Sequence, residues 1–204
     1  MRVSKKYFTT LFIVILTITS FTVLSYFKFN LKKEVGLSTN FNCLQNGDLI
    51  LRCGRSTESF AVYLADANSE FTHIGIISIE NSIPFVIHAV PSKTNLIQKE
   101  KLSTFLNSKN TSNFAIYRSN FNEVYLDKVV KIANSYYLNK YEFDTKYDLD
   151  TNTKLYCTEL VLKAFNSCGA NLKIKPKELN YIIGKHNIIF PSEFTKAPVF
   201  TRII

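Results

Sequence analysis

The stretch KLYCTELVLKAF, residues 154–165, places a cysteine with polar neighbours at the start of an apolar segment with helical periodicity. At 100° per residue, Cys157 shares one face with Val161 and Ala164, which predicts a helix over about 157–168. Three interpretations of the cysteine compete: a packed thiol, half of a disulfide, or a nucleophile. In the first turn of a helix, unpaired N–H groups and the positive end of the helix dipole stabilise a thiolate, which suits a nucleophile.

The spacing of the four cysteines limits the disulfide interpretation. Cys157 and Cys168 are eleven residues apart on one predicted helix, so their Cα atoms lie about 16 Å apart. A disulfide needs a Cα separation below about 7 Å, which excludes this pair. Cys43 and Cys53 could bridge each other, although Cys43 lies in a predicted linker. Cys157 is therefore either a free buried thiol or a reactive one.

Two of the three histidines lie on neighbouring predicted strands. His73 opens HIGIISI, His88 lies within PFVIHAV, and a short polar turn joins the two segments as in a hairpin. If residues 80–81 form the loop, the histidines stand directly opposite each other. If residues 81–82 form the loop, the histidines are diagonal neighbours on one face of the sheet. A loop with an odd number of residues would place them on opposite faces.

A cysteine at a helix N-terminus that faces a sheet with two histidines is typical of thiol catalysis. One imidazole takes the thiol proton, and a second polar group fixes the tautomer of that imidazole. The sequence has no C-x-x-C, no H-x-x-x-H and no clustered carboxylates, so we predict no metal site. No organic cofactor is needed for this chemistry either.

Glu159 lies roughly opposite Cys157 on the predicted helix and four residues before Lys163. A glutamate that precedes a lysine by four residues forms a favourable pair on an exposed helix face. We therefore predict that Glu159 is a surface charge.

The remaining periodicities predict an α+β domain with one antiparallel sheet. Predicted strands cover residues 48–53, 73–79, 84–90 and 113–118, predicted helices cover 56–67 and 123–138, and a polar loop covers 139–153.

Composition argues for a globular domain and against a nucleic-acid partner. Of 204 residues, 46% are hydrophobic and 20% are charged, which is a globular balance. Six basic residues and one acidic residue in residues 1–34 supply +5 of the net charge of +9. The remaining chain has no dense basic run and no nucleic-acid-binding motif.

The N-terminal charge flanks residues 7–27, a run of 21 residues without a charge, and about 20 such residues span a bilayer as a helix. We predict a signal-anchor or transmembrane segment at 1–28, a linker at 29–45 and the folded domain at 46–204. The segment could instead be a cleaved signal peptide. The domain is accordingly expected to be membrane-anchored and exported, periplasmic or extracellular, or secreted if the segment is removed.

Five segments together resemble the permuted papain-like amidases, YiiX-like relatives of the NlpC-type cell-wall peptidases and of lecithin retinol acyltransferase. In ordinary papain-like chains the cysteine precedes the histidine, whereas here the histidine segment comes first. The resemblance covers roughly residues 46–200 and implies a permuted papain-like fold with an antiparallel sheet packed against the cysteine helix. The segments are GDLILRCG (47–54), FTHIGII (71–77), VIHAV (86–90), LYCTELV (155–161) and PSEF…AP (191–198).

The resemblance also implies roles for individual residues. It makes Cys157 the nucleophile, His73 the general base and His88 the polar third member of the site. The commonest pattern among YiiX-like proteins has glutamate at this third position, and histidine occupies it in the NlpC-type and acyltransferase relatives. Asp48 is implied to be important near the site or to cap a turn, and Tyr156 either lines the cleft or packs.

The function that follows is a membrane-anchored or exported cysteine hydrolase that cleaves peptide or N-acyl amide bonds through a thioester on Cys157. The resemblance allows peptidoglycan stem peptides, N-acyl amino acids or lipid acyl groups as envelope substrates. The alternatives are a lipid acyltransferase and a catalytically inactive envelope-binding module of the same fold.

Overall fold

The computed structural model describes residues 14–15, 17–24, 40–67, 69–181 and 184–204. The chain divides into two units, residues 1–33 and residues 34–204. In the first unit, residues 14–15 and 17–24 are helical. Within the described ranges, no helix has both the length and the apolar character needed to cross a membrane. The predicted transmembrane segment at 7–27 extends outside the described residues at both ends and stays a prediction.

The second unit is an α+β domain built on an antiparallel sheet, as predicted. Among the described residues, six strands form this sheet in the order β10-β5-β1-β2-β3-β4. They are β1 (Leu49–Gly54), β2 (His73–Glu80), β3 (Ile83–His88), β4 (Gln98–Lys101), β5 (Thr111–Ser119) and β10 (Phe200–Arg202). Two small sheets pair β6 (Glu142–Phe143) with β7 (Lys154–Leu155) in parallel and β8 (Lys177–Tyr181) with β9 (Gly184–Ile188) antiparallel. The helices of this unit are α1 (Thr57–Ala65), α2 (Leu102–Phe105), α3 (Glu123–Leu138), α4 (Cys157–Ser167) and α5 (Pro191–Lys196).

Segments with clear periodicity fold as predicted. Helix α3 has the predicted bounds, and the Asn122 side chain accepts a hydrogen bond from Tyr125 N at 2.9 Å to cap its start. Helix α1 also forms, although it buries no side chain. The predicted loop at 139–153 contains the short strand β6. Strands β4 and β10 were not predicted, because neither shows an alternation of apolar and polar residues.

The two faces of the central sheet pack against different helices, since successive strand residues point to opposite sides. One face packs against α3 and α4 and includes Leu49, Leu51, Ile74, Ile76 and Ile87 with Val129, Leu160 and Val161. The other face packs against α2 and includes Ile50, Ile77, Val86 and Ile116 with Leu102 and Phe105.

The hairpin between β2 and β3 fixes the relative position of the two histidines. Its loop consists of Asn81 and Ser82, both with positive φ (49° and 64°), as a tight two-residue turn requires. Pairing continues from Glu80↔Ile83 to Ile76↔Ile87. Of the two-residue loops considered from the sequence, 80–81 and 81–82, the protein therefore uses the second. This register makes His73 and His88 diagonal neighbours on one face of the sheet.

Candidate active site

Cys157 is the first residue of α4, with Tyr156 as its N-cap, and is partly exposed. The carboxylate of Glu159 accepts a hydrogen bond from Tyr156 N (3.3 Å) and thereby closes the start of the helix. Glu159 also pairs with Lys163 at 2.7 Å, as predicted. The predicted exposure of Glu159 is wrong, because this capping role turns the side chain inward to 0% exposure. Burial raises the pKa of Glu159 above its ordinary value.

The two histidines form a buried chain that ends on a carboxylate. His73 Nε2 lies 2.8 Å from His88 Nδ1, and both rings pack against Phe105. His88 Nε2 lies 3.1 Å from Glu100 Oε1. Glu100, on β4, was missed from the sequence. Its position is set by the pairing of His88 with Gln98, which makes Glu100 a diagonal neighbour of His88.

The carboxylate determines where the protons of this chain lie. A neutral imidazole has one donor and one acceptor nitrogen, and an ionised carboxylate can only accept. With its proton on Nε2, the nitrogen nearer Glu100, His88 accepts at Nδ1 from Nε2–H of His73. This leaves Nδ1 of His73 unprotonated, so its lone pair is available to take the proton of a thiol.

The electrostatic environment keeps both imidazoles uncharged. Burial lowers the pKa of His73 well below its ordinary value, with further contributions from the charge of Arg52 and from His88. Burial also lowers the pKa of His88, although the contact with Glu100 works in the opposite direction. Both rings are therefore neutral, and competent as bases, at neutral pH.

The thiol is protonated in the resting protein. Burial raises the pKa of Cys157 to about 11, although backbone N–H groups of Ile74, Thr158 and Cys157 itself, and the charge of Arg52, favour the thiolate. The helix start thus favours the thiolate, as predicted, but burial has the larger effect on the pKa of Cys157. The resting site holds a neutral thiol and a neutral imidazole.

A cavity of about 340 Å³ is lined by both Cys157 and His73, together with Arg52 and Tyr156. The sequence predicted that the cysteine helix faces the sheet that carries the histidines, and α4 does pack against this sheet. Strand alternation turns Ile74 towards α4, whereas His73 and Arg52, which are cross-strand partners, belong to the other face. His73 reaches the cavity because it is the first residue of β2.

Tyr156 both packs and lines this cavity, so the two alternatives left open by the sequence hold together. Its side chain is 2% exposed, and its Oη accepts a hydrogen bond from Ile189 N at 3.1 Å.

Asp48 is fully buried at the start of β1. Its carboxylate accepts two hydrogen bonds from Arg118, both at 2.8 Å, and one from Gln45 N at 2.9 Å. Asp48 is not among the described residues that line the cavity at Cys157. Its role near the site stays a prediction. Cys43 and Cys53 are free thiols, so the structure does not contain the disulfide considered from the sequence.

A family model described as permuted papain-like amidase enzyme, YaeF/YiiX, C92 family, matches residues 43–204. The chain belongs to this family. It is therefore a cysteine amidase or peptidase-like hydrolase, and the resemblance found in the sequence is confirmed.

Two individual proteins support the family assignment. The protein YiiX of Escherichia coli K12 is 24% identical over 143 residues, which cover 67% of each chain. The crystal structure of metalloprotein YiiX from Escherichia coli O157:H7 covers 78% of this chain and 96% of that one, with a TM-score of 0.64 and 18% identity. The second comparison shows a shared fold. In the part of this chain that the structure describes, no three His, Cys, Asp or Glu side chains group as a metal site requires.

The raised pKa of Cys157 predicts the pH dependence of its alkylation. We expect iodoacetamide to modify Cys157 slowly at pH 7, with a rate that rises about tenfold per pH unit as the thiolate fraction grows towards the pKa of about 11. Site-resolved mass spectrometry would measure this rate, with the exposed Cys43 as an internal reference thiol. Rapid modification of Cys157 below pH 7 would show instead that the resting site holds a thiolate.

Gly75, in the HIGI segment at residues 73–76, makes room for Val86 and for the second histidine. A Cβ at this position would lie 2.6 Å from Val86 Cγ1 and 3.1 Å from His88 Cβ. We expect Gly75→Ala to cost about 1–3 kcal/mol of stability through overpacking and to lower kcat because His88 is displaced. Thermal unfolding and amidase kinetics would measure the two effects.

The matched control for Gly75 is Gly169→Ala. Gly169 has a φ of +90°, and a Cβ there would have no described atom within 4 Å. The control should therefore lose about 1 kcal/mol through backbone strain and keep its kcat. If both variants lose kcat equally, the role assigned to Gly75 is wrong.

Proposed function

We propose that this family member hydrolyses amide bonds through a thioester on Cys157, with His73 as the general base. The observation that carries the proposal is the shared cavity, which is lined by a thiol at a helix start and by an imidazole that adjoins His88 and, through it, Glu100. A protein that only bound its ligand would need neither the thiol nor the oriented base.

The geometry supports a two-step reaction. As Sγ of Cys157 attacks the carbonyl carbon, Nδ1 of His73 takes the thiol proton, and the backbone N–H of Cys157 is positioned to donate to the developing oxyanion. The C–N bond then breaks as His73 gives this proton to the leaving amine. In the second step His73 deprotonates water, which attacks the thioester carbonyl, releases a carboxylic acid and restores the thiol.

The chain of His88 and Glu100 acts on the charge that appears during attack. Since the resting thiol and imidazole are neutral, positive charge develops on His73 only when it accepts the proton. The His73 Nε2–H bond to His88, backed by the Glu100 carboxylate, stabilises that charge in the transition state more than in the ground state.

We further propose that residues 7–27 hold the domain at the membrane, with the domain exported to act on an amide- or acyl-containing envelope substrate. The uncharged 21-residue run between basic flanks supports this. Retention of the full-length chain in membranes after alkaline carbonate extraction is the expected result. Release of the full-length chain, or of a form lacking the segment, would overturn the anchor.

The test of the hydrolase proposal is to trap the acyl-enzyme. The full-length chain would be mixed with N-acyl amino acids and with peptidoglycan stem peptides, quenched in acid, and analysed by intact and peptide mass spectrometry. The expected result is an acyl adduct on Cys157 together with release of free amine. Binding of a substrate without adduct or amine release would support the inactive envelope-binding module instead.

A further inference from the structure

Arg52 is a largely buried cation without a role in the reaction described above. It lies on β1 directly opposite His73 on β2, and it lines the cavity together with His73 and Cys157. Its guanidinium lies 4.1 Å from the centre of the Phe105 ring, against which both imidazoles also pack. A fixed positive charge therefore shares the cavity with the thiol and its base.

The guanidinium of Arg52 is only partly satisfied by the described residues around it. Nη1 donates to the carbonyl oxygen of Phe105 at 2.5 Å, and Nε is buried without a hydrogen-bond partner. A buried charge that is incompletely paired costs stability, and arginine keeps its charge at every physiological pH. Burial lowers the pKa of Arg52, whereas the charges of Glu100 and Cys157 act to raise it. The cation thus lies where a negative charge on Cys157 would stabilise it.

The site contains two fixed charges of opposite sign, and proton transfer creates two more. As the thiol proton moves to Nδ1 of His73, a thiolate and an imidazolium form. The Glu100 carboxylate favours the imidazolium through His88, and the charge of Arg52 favours the thiolate of Cys157. Arg52 by itself disfavours the imidazolium, and Glu100 offsets this. Each new charge therefore has a fixed charge of opposite sign, from which the neutral resting pair gains little.

We infer that Arg52 is an electrostatic residue of the active site, which stabilises the negative charge that forms on Cys157 when the thiol is deprotonated and again when the thioester is released. This inference rests on the thiol hydrolysis proposed above and adds a residue to it. No bond to Arg52 forms or breaks. The proton passes from Sγ of Cys157 to Nδ1 of His73 and later returns, and the guanidinium keeps its own protons. Fixed charges of this kind act without reorganisation at the moment of reaction.

Alkylation of the full-length chain measures the charge on Cys157 without any substrate. Iodoacetamide is neutral, so its rate reports the thiolate fraction and not an attraction of the reagent to the cation. Arg52→Met removes the charge and keeps an unbranched chain over Phe105. The rate at Cys157 at pH 8 should fall by about three- to tenfold, because a higher pKa of Cys157 leaves less thiolate. Arg52→Lys keeps the charge and should lose less than about twofold.

The matched control is Arg202→Met. It makes the same substitution on β10 of the same sheet, where the side chain of Arg202 is 46% exposed. Arg202 is not among the described residues that line the cavity, so the alkylation rate of Cys157 should not change. The exposed Cys43 serves as a reference thiol within every variant.

The direction in which the pKa of His73 moves gives a second measurement. A cation disfavours the imidazolium, so its removal raises the pKa of His73. The acid limb of the profile of kcat/KM against pH should therefore move to higher pH in Arg52→Met, and the plateau value should fall by about 10–100-fold. The substrate is N-acetyl-L-alanine p-nitroanilide, a neutral amide, so a lost contact with a substrate anion cannot explain the loss. The other charged side chains that line the cavity, those of Arg55, Glu58 and Lys109, are the same in every variant.

The outcomes separate this inference from the proposal on which it rests. Slow alkylation in Arg52→Met with a nearly parental rate in Arg52→Lys supports the inference. Equal rates in the parent and Arg52→Met, or equal losses in the Met and Lys variants, overturn it, since the charge then has no effect on the thiol. An acid limb that moves to lower pH in Arg52→Met also overturns it. A parent chain that shows neither turnover nor an acyl adduct overturns the hydrolase, whereas alkylation still decides whether Arg52 stabilises the thiolate.

Discussion

Cys157→Ser is expected to lower kcat/KM for amide hydrolysis by about 10⁴-fold or more. A hydroxyl gives up its proton less readily than a thiol, and burial lowers the pKa of His73 well below its ordinary value, which makes His73 a weak base. Proton transfer from serine to this imidazole is therefore far less favourable than transfer from cysteine. Kinetics with an amide substrate, together with intact mass analysis for the lost acyl adduct, would measure the effect.

The fold should tolerate this change, and the same helix supplies a matched control. Cys157 is partly exposed in the first turn of α4, and serine is well accepted near a helix N-terminus. Cys168→Ser makes the same substitution at the C-cap of α4, away from the cavity, and should retain full activity with a similar melting temperature. Residual activity above a tenth of the parent in Cys157→Ser, or an equal loss in Cys168→Ser, would contradict the assignment of the nucleophile.

The sequence predicts those parts of the site that depend on local patterns. Cys157 at a helix start follows from the 3.6-residue periodicity after it, and His73 and His88 follow from two β-rich segments with a short turn between them. The hairpin loop could not be chosen in advance, since a shift of one residue moves every side chain to the opposite face. Asn81 and Ser82, both with positive φ, decide the loop in the folded protein.

Features that depend on tertiary packing were either not predicted from the sequence or predicted wrongly. Glu100 lies in the edge segment QKEK, which has no apolar alternation to indicate a strand. Glu159 fits an exposed helix pair by spacing, yet it caps α4 inside the domain. The raised pKa of Cys157 reflects burial between β2 and the start of α4, which a helix-dipole argument from sequence does not include.

Glu100→Gln is expected to lower kcat by about 10²–10³-fold with little change in KM. Burial acts to raise the pKa of Glu100, but His88 and Arg52 outweigh it and bring that pKa below its ordinary value, so the carboxylate is ionised at neutral pH. Glutamine has nearly the same shape without the charge. The variant no longer fixes the proton on His88 Nε2, and it no longer stabilises the charge that develops on His73 during attack.

The pH profile distinguishes this positioning role from a loss of structure. A nearby carboxylate stabilises an imidazolium and raises its pKa, so removing the carboxylate lowers the pKa of the base still further. In Glu100→Gln the acid limb of the profile of kcat/KM against pH should therefore move to lower pH, and the plateau value of kcat/KM should fall. Glu80→Gln removes a carboxylate that pairs with Lys99 on the same sheet, outside the histidine chain, and should change neither plateau nor limb. An acid limb that stays in place in Glu100→Gln, or an equal loss of kcat in Glu80→Gln, would mean that Glu100 supports the sheet and does not act through His88.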